Sequence, residues 1–285
     1  MRILLAAALL AMNVEAKSLF SNDDQKANAK YIDALRDLVI ATQKTRGLTN
    51  SYLNGNKSAL LLINANKREM KKAIGEMESL PLANDPNIGG HVSDVAHELV
   101  KINNSALDQP ASKSFKEYTA EIEDLLMVAQ TVAKQGSKDL NPLGKDTSSI
   151  MMEEILPLTE QIGRMRGMGS GIIAKKSITD VQKFKIASMI SDIKDLESRL
   201  QSDMDRVLSK YPKGFNPSVK TKLSKLHKMV THYVELTKAE VTSSKVGSHV
   251  DATTYFNKGT EIITLLMDIF DLDNKAIIED SKGWI

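Results

Sequence analysis

Two arginines, Arg46 and Arg166, stand where a cation is hard to accommodate. Leu35, Val39, Thr42, Arg46, Thr49 and Leu53 follow steps of four and three, so on a helix they share one face, apolar at both ends. Ile155, Thr159, Ile162, Arg166, Gly169 and Ile173 occupy the same six positions displaced by 120 residues. A guanidinium on such an inward seam needs a carboxylate, a route back to water, or an anion from outside. Gln43, Thr45, Asn50, Ser51 and Tyr52 surround the first arginine; Arg164, Gly167, Gly169, Ser170 and Gly171 surround the second. Glycines inside a helix cost about 1 kcal/mol each against alanine. Close approach of another backbone, or room for a ligand, offsets such a loss. A fixed guanidinium among small residues suits a small, planar, monovalent oxyanion that accepts two parallel N–H bonds. The hydroxyls of Thr42 and Thr49 are then available for its remaining oxygens, and Arg164 is a helper with no counterpart in the first copy, where position 44 is Lys. The competing reading is internal pairing, with Glu121, Glu123 or Asp124 supplying the carboxylate to the first arginine.

Arginine is scarce in this chain: of 38 basic residues only eight are Arg, so Lys is the ordinary surface cation. A formal charge of +2 gives no reason to invoke nucleic acid or an anionic membrane. The absence of Cys excludes disulfides, thiolate zinc sites and cysteine nucleophiles. Apolar residues at 42% and charged residues at 26% describe a globular protein, and 5% aromatics with 7 Pro lean toward helices.

The elements that must carry these arginines are long amphipathic helices. Met1 to Ala16 reads as a signal peptide, with Arg2 before an apolar run from Ile3 to Met12 and small residues near a cut after Ala16. The product is then expected to be soluble and exported, periplasmic in a bacterium. Helices are expected from Asp24 to about Leu53, Ser58 to about Leu80, Asp85 to about Asn104, and Ser114 to about Lys134, the last opened by a capping box at Ser114 and Glu117. A loop from Gly136 to Thr147 is the best boundary. Four more follow: Ser149 to about Ala174 with a kink at Pro157, Thr179 to before Pro212, Asn216 to about Ser244, and Asp251 to about Asp273. No strand alternation is found. The expected fold is therefore all-α, eight long helices in two four-helix bundles related by an internal repeat, spanning 17–140 and 141–285.

Other chemistry is thin. His91 with His97 and His227 with His232 are six and five residues apart, so neither pair shares a helical face for a metal. Glu153 and Glu154 follow the expected helix start, where acids favour the dipole. Met151, Met152, Met165 and Met168 read as packing residues, Lys67, Arg68, Lys71 and Lys72 as a solvated face, and Trp284 as loose packing in the tail. No Walker loop, dinucleotide turn, GxSxG or HExxH occurs, and no acid, base and nucleophile stand together, so neither an enzyme nor a cofactor is expected.

Leu38 followed by Gln43-Lys-Thr-Arg46-Gly-Leu-Thr49 resembles the first-helix signature of nitrate- and nitrite-sensing domains of bacterial receptors and regulators. The eight-helix, two-bundle plan of that family is also similar to the plan above. Family members bind nitrate or nitrite through arginines, a role that the resemblance passes to Arg46 and, through the repeat, to Arg166. It implies a sensory or binding protein for a small oxyanion, nitrate or nitrite, that passes ligand state to a membrane receptor or kinase, with a homodimer as one form. A fused membrane span or output domain, usual in the family, is not expected from this sequence, and its second centre is richer in glycine. The residues also fit a ligand-free helical interaction module whose arginines are internally paired.

Overall fold

A computed structural model describes residues 27, 30–85 and 88–282 of the chain. The described residues form eight helices and no strand. They are α1 (30–53), α2 (Ala59–Glu78), α3 (Gly89–Ser105), α4 (Ala111–Gly136), α5 (Pro142–Ile150 running on through Met151–Ile155 and Leu156–Lys175), α6 (Asp180–Lys210), α7 (Ser218–Glu240) and α8 (Ala252–Lys282). The expected signal peptide and Trp284 lie outside the described residues. No helix among those described is long and apolar enough to cross a membrane.

Several starts and stops differ from the expected ones, each for a local reason. Pro110 occupies the N-cap of α4, so the helix begins at Ala111 and Ser114 lies buried inside its first turns rather than opening it. A short 3-10 turn at Pro81–Asn84 precedes α3, whose described start is Gly89; Pro86 is outside the described residues. The boundary loop shrinks because Asn141 stands at an N-cap and Pro142 at the first helical position, where a missing N–H is no loss. α5 therefore begins seven residues before the expected Ser149. Its irregularity falls one turn before Pro157. Proline cannot donate to the carbonyl of Glu153, and the helix widens to a π turn over Met151–Ile155, with the Leu156 N–H bonded to the Met151 carbonyl. α7 stops at Glu240, and α8 continues past Asp273 because Ala276 is buried and Ile277 still packs against the core. Two expected caps are present. Thr179 and Gln182 bond reciprocally at the start of α6, and Asp251 accepts the N–H groups of Thr253 and Thr254 at α8.

One hydrophobic core runs from Tyr31 on α1 to Phe270 on α8 and draws residues from all eight helices. α5 is central: it packs on both α6 and α8, while α3 pairs with α4 and α7 with α8. α1 meets α5 where both lack side chains. A Cβ on Gly47 would stand 3.2 Å from the Gly167 Cα, and one on Gly167 would stand 3.0 Å from the Gly47 Cα. These two glycines are the repeat-equivalent residues that follow Arg46 and Arg166. Gly169 and Gly171 are explained the same way, one lying under the Tyr255 ring and the other under the Asn50 amide. The glycine run thus serves close helix approach. Gly167→Val should destabilise the fold by about 1–3 kcal/mol through overpacking at this crossing. Gly75→Ala, at an exposed α2 position with no neighbour within 4 Å of the added carbon, should stabilise it by about 0.5–1 kcal/mol. Urea unfolding followed by circular dichroism checks both signs.

Candidate anion site

The glycine crossing brings the two arginine-bearing turns together inside the molecule, with Arg46 0% and Arg166 2% exposed. Each arginine is held by the same device from the last helix of its own half. Phe115 and Thr119 lie one turn apart on α4; Phe256 and Thr260 repeat that spacing on α8, both displaced by 141 residues. Arg46 stacks over Phe115 at 4.9 Å and Arg166 over Phe256 at 4.5 Å. Arg46 Nη1 donates to Thr119 Oγ1 at 3.0 Å, and Arg166 Nη1 to Thr260 Oγ1 at 2.9 Å. Both threonines donate their own proton back to the phenylalanine carbonyl, at 2.7 and 3.0 Å, which turns a lone pair toward the guanidinium. The phenylalanines also cross over. Phe256 fills the space beside Gly47 and Phe115 the space beside Gly167, so each ring touches its own arginine and the other copy's glycine.

The pseudo-symmetry breaks in how the two guanidiniums are paired. Arg46 is met by Glu160 of α5 in a fork, Nη1 to Oε1 at 2.6 Å and Nη2 to Oε2 at 3.2 Å. The residue displaced by 120 from Glu160 is Ile40, which is half-buried and carries no charge. Among the described residues no carboxylate pairs with Arg166, and no acceptor meets its Nε or Nη2. Those two groups form the side-on edge of the guanidinium, with parallel N–H bonds. Burial pushes the Arg166 guanidinium down to about 10, and the positive charge of Arg46 acts in the same direction; it stays charged at neutral pH. Gln43, fully buried, has no partner for either amide atom among the described residues, and its Oε1 lies 3.0 Å from where a Cβ on Gly163 would be, one turn before Arg166. Gly259 lets the Arg166 stem and the Tyr233 hydroxyl approach α8 closely.

The carboxylate for Arg46 thus comes from α5 rather than from Glu121, Glu123 or Asp124. Glu123 instead meets Arg164 at 3.3 Å, while Glu121, crowded by burial and then by Asp124 and Glu98, is pushed up to about 7. Arg164 is about a third exposed, and its Nε lies 4.0 Å from Glu160 Oε1. Thr42 spends its proton on the Leu38 carbonyl at 2.7 Å, and Thr49 is buried beside Tyr118. Glu154 is not near a helix start: it sits in the π turn, pushed up to about 8 by burial and by Asp203. A cleft of about 890 Å³ reaches Phe115 and Thr119 from solvent and is bordered by Lys113, Lys116, Arg164 and Lys175. Glu160→Leu, which strands a buried guanidinium, should cost about 3–5 kcal/mol, whereas Arg46→Met together with Glu160→Leu should cost clearly less. Urea melts of the three chains give the comparison.

A family model described as nitrate and nitrite sensing matches residues 37–271. Among solved structures, the NasR transcription antiterminator is similar in fold, with a TM-score of 0.69 at 11% identity, covering 97% of this chain and 75% of that one. A comparison with curated proteins gives no match. The matched span runs from the first arginine helix through both phenylalanine–threonine pairs, and the chain belongs to the nitrate- and nitrite-sensing family.

Proposed function

We propose that this chain is a non-catalytic sensory protein that binds one nitrate or nitrite ion at Arg166, with Arg46 held beside it by Glu160. The observation that carries this reading is the unpaired Nε/Nη2 edge of a fully buried guanidinium. Two parallel donors match two oxygens of a planar monovalent anion, and the buried surroundings strengthen each bond. Gln43 supplies a further amide donor from α1, and the lysine-bordered cleft raises the local anion concentration on the Arg46 side. Thr42, Thr49 and Arg164 then act around the ion's site rather than on it: Thr42 bonds back to its own helix, Thr49 is buried beside Tyr118, and Arg164 faces the cleft. The leader-like Met1 to Ala16 supports export to the periplasm, where the ligand state would pass to a membrane receptor or kinase, or through a homodimer.

The second reading, an interaction module with internally paired arginines, is favoured by the Arg46–Glu160 fork alone. Calorimetry on the full chain separates the two. Nitrate and nitrite should bind at one ion per chain with chloride and sulfate much weaker, and Arg166→Ala should abolish the heat. Arg166→Lys should weaken binding at least about tenfold, because an ammonium cannot present the fork. No heat from any anion, or undiminished binding by Arg166→Ala, favours the interaction module.

A further inference from the structure

The buried centre contains three charges. Arg46, Arg166 and Glu160 are 0, 2 and 4% exposed, and the groups packed on them (Gln43, Phe115, Thr119, Tyr233, Phe256 and Thr260) are uncharged. Arg164 approaches from the cleft but is neutralised at the surface by Glu123. The centre therefore carries a net charge of +1. Charge left uncompensated in a dry interior is costly, so the ion that fits best brings the total to zero. A monovalent anion does so; a divalent one leaves the centre at −1.

We propose that Glu160 determines the valence of the bound anion: by cancelling Arg46 it leaves a single positive charge for the ligand, and so selects monovalent over divalent oxyanions. The inference rests on the anion-binding reading above and adds a specificity residue to it. The broken repeat is what makes the selection. An acid at position 40 as well as at 160 would bring the centre to zero and leave nothing for an anion to neutralise, while an apolar residue at both would give +2, which a divalent ion satisfies. The chain has one acid and one Ile at these equivalent places. Glu160 acts on the ligand through charge, not by touching it.

The test compares nitrate and sulfate affinities by calorimetry for the parent chain, Glu160→Gln, and Arg46→Gln combined with Glu160→Gln, each checked for cooperative thermal unfolding. The parent should prefer nitrate. Glu160→Gln, nearly isosteric but raising the centre to +2, should lower the nitrate-to-sulfate preference at least about tenfold or invert it. The double variant returns the centre to +1 and should regain the parent's preference, a recovery that a merely structural role for Glu160 would not produce. An unchanged preference in Glu160→Gln overturns the inference. So does loss of nitrate preference, or of all binding, in the double variant, which also carries the test if the single variant does not fold. A parent chain that binds neither ion overturns the anion-binding reading itself, a distinct result.

Discussion

The contact on which this structure depends is the crossing of α1 and α5 at Gly47 and Gly167, where backbone meets backbone. Helices with ordinary side chains at the contact lie about 8–10 Å apart; a pair of glycines at the contact point allows closer approach. That closeness has two consequences. It removes the adjoining arginines from water, and it opens space on either side of the crossing that Phe115 and Phe256 fill. Each phenylalanine is then fixed between a guanidinium and the opposite glycine, so the arginine environment and the helix packing are one arrangement.

Buried guanidiniums are tolerated when their N–H groups are bonded and their charge is offset. The two halves of this chain bond one Nη1 group alike, through a threonine whose proton is committed to its own helix. They differ on the second. Glu160 crosses from α5 to offset the charge of Arg46, while Ile40, its counterpart on α1, carries no charge. A symmetric pair of paired arginines would be a structural core; a single unpaired one beside it makes an incomplete core that a small anion can finish. The functional reading grows from that inequality rather than from the presence of arginine as such.

Much of this was legible in the residue order. The spacing around Arg46 and Arg166 placed both on inward faces, and the 120-residue offset identified the equivalent helices, because helical periodicity survives without knowledge of partners. Thr179 and Asp251 marked helix starts correctly, since capping is a local interaction. Ser114 misled because a cap sequence was outcompeted by Pro110 upstream, and Asn141–Pro142 reads equally as a turn or as a helix start. The partner of Arg46 was missed altogether. Glu160 sits among Leu158, Thr159 and Ile162, and nothing local distinguishes an acid that reaches another helix from one that reaches solvent. Phe115 and Thr119 with Phe256 and Thr260 could have been found: an aromatic and a threonine four apart, recurring at a constant offset, repeat as plainly as the arginines do.

The central claim is that a small oxyanion completes Arg166 and not the exposed or internally paired arginines. Arginine side-chain NMR addresses it directly, because each of the eight guanidiniums contributes its own Nε–H signal. Titrating the full chain with sodium nitrate, with the Arg166 signal assigned by Arg166→Lys, should move and sharpen that resonance saturably while the exposed arginines stay in place. A spectrum in which the Arg166 signal is unchanged at saturating nitrate and nitrite, or in which only exposed arginines respond in proportion to ionic strength, would contradict the account.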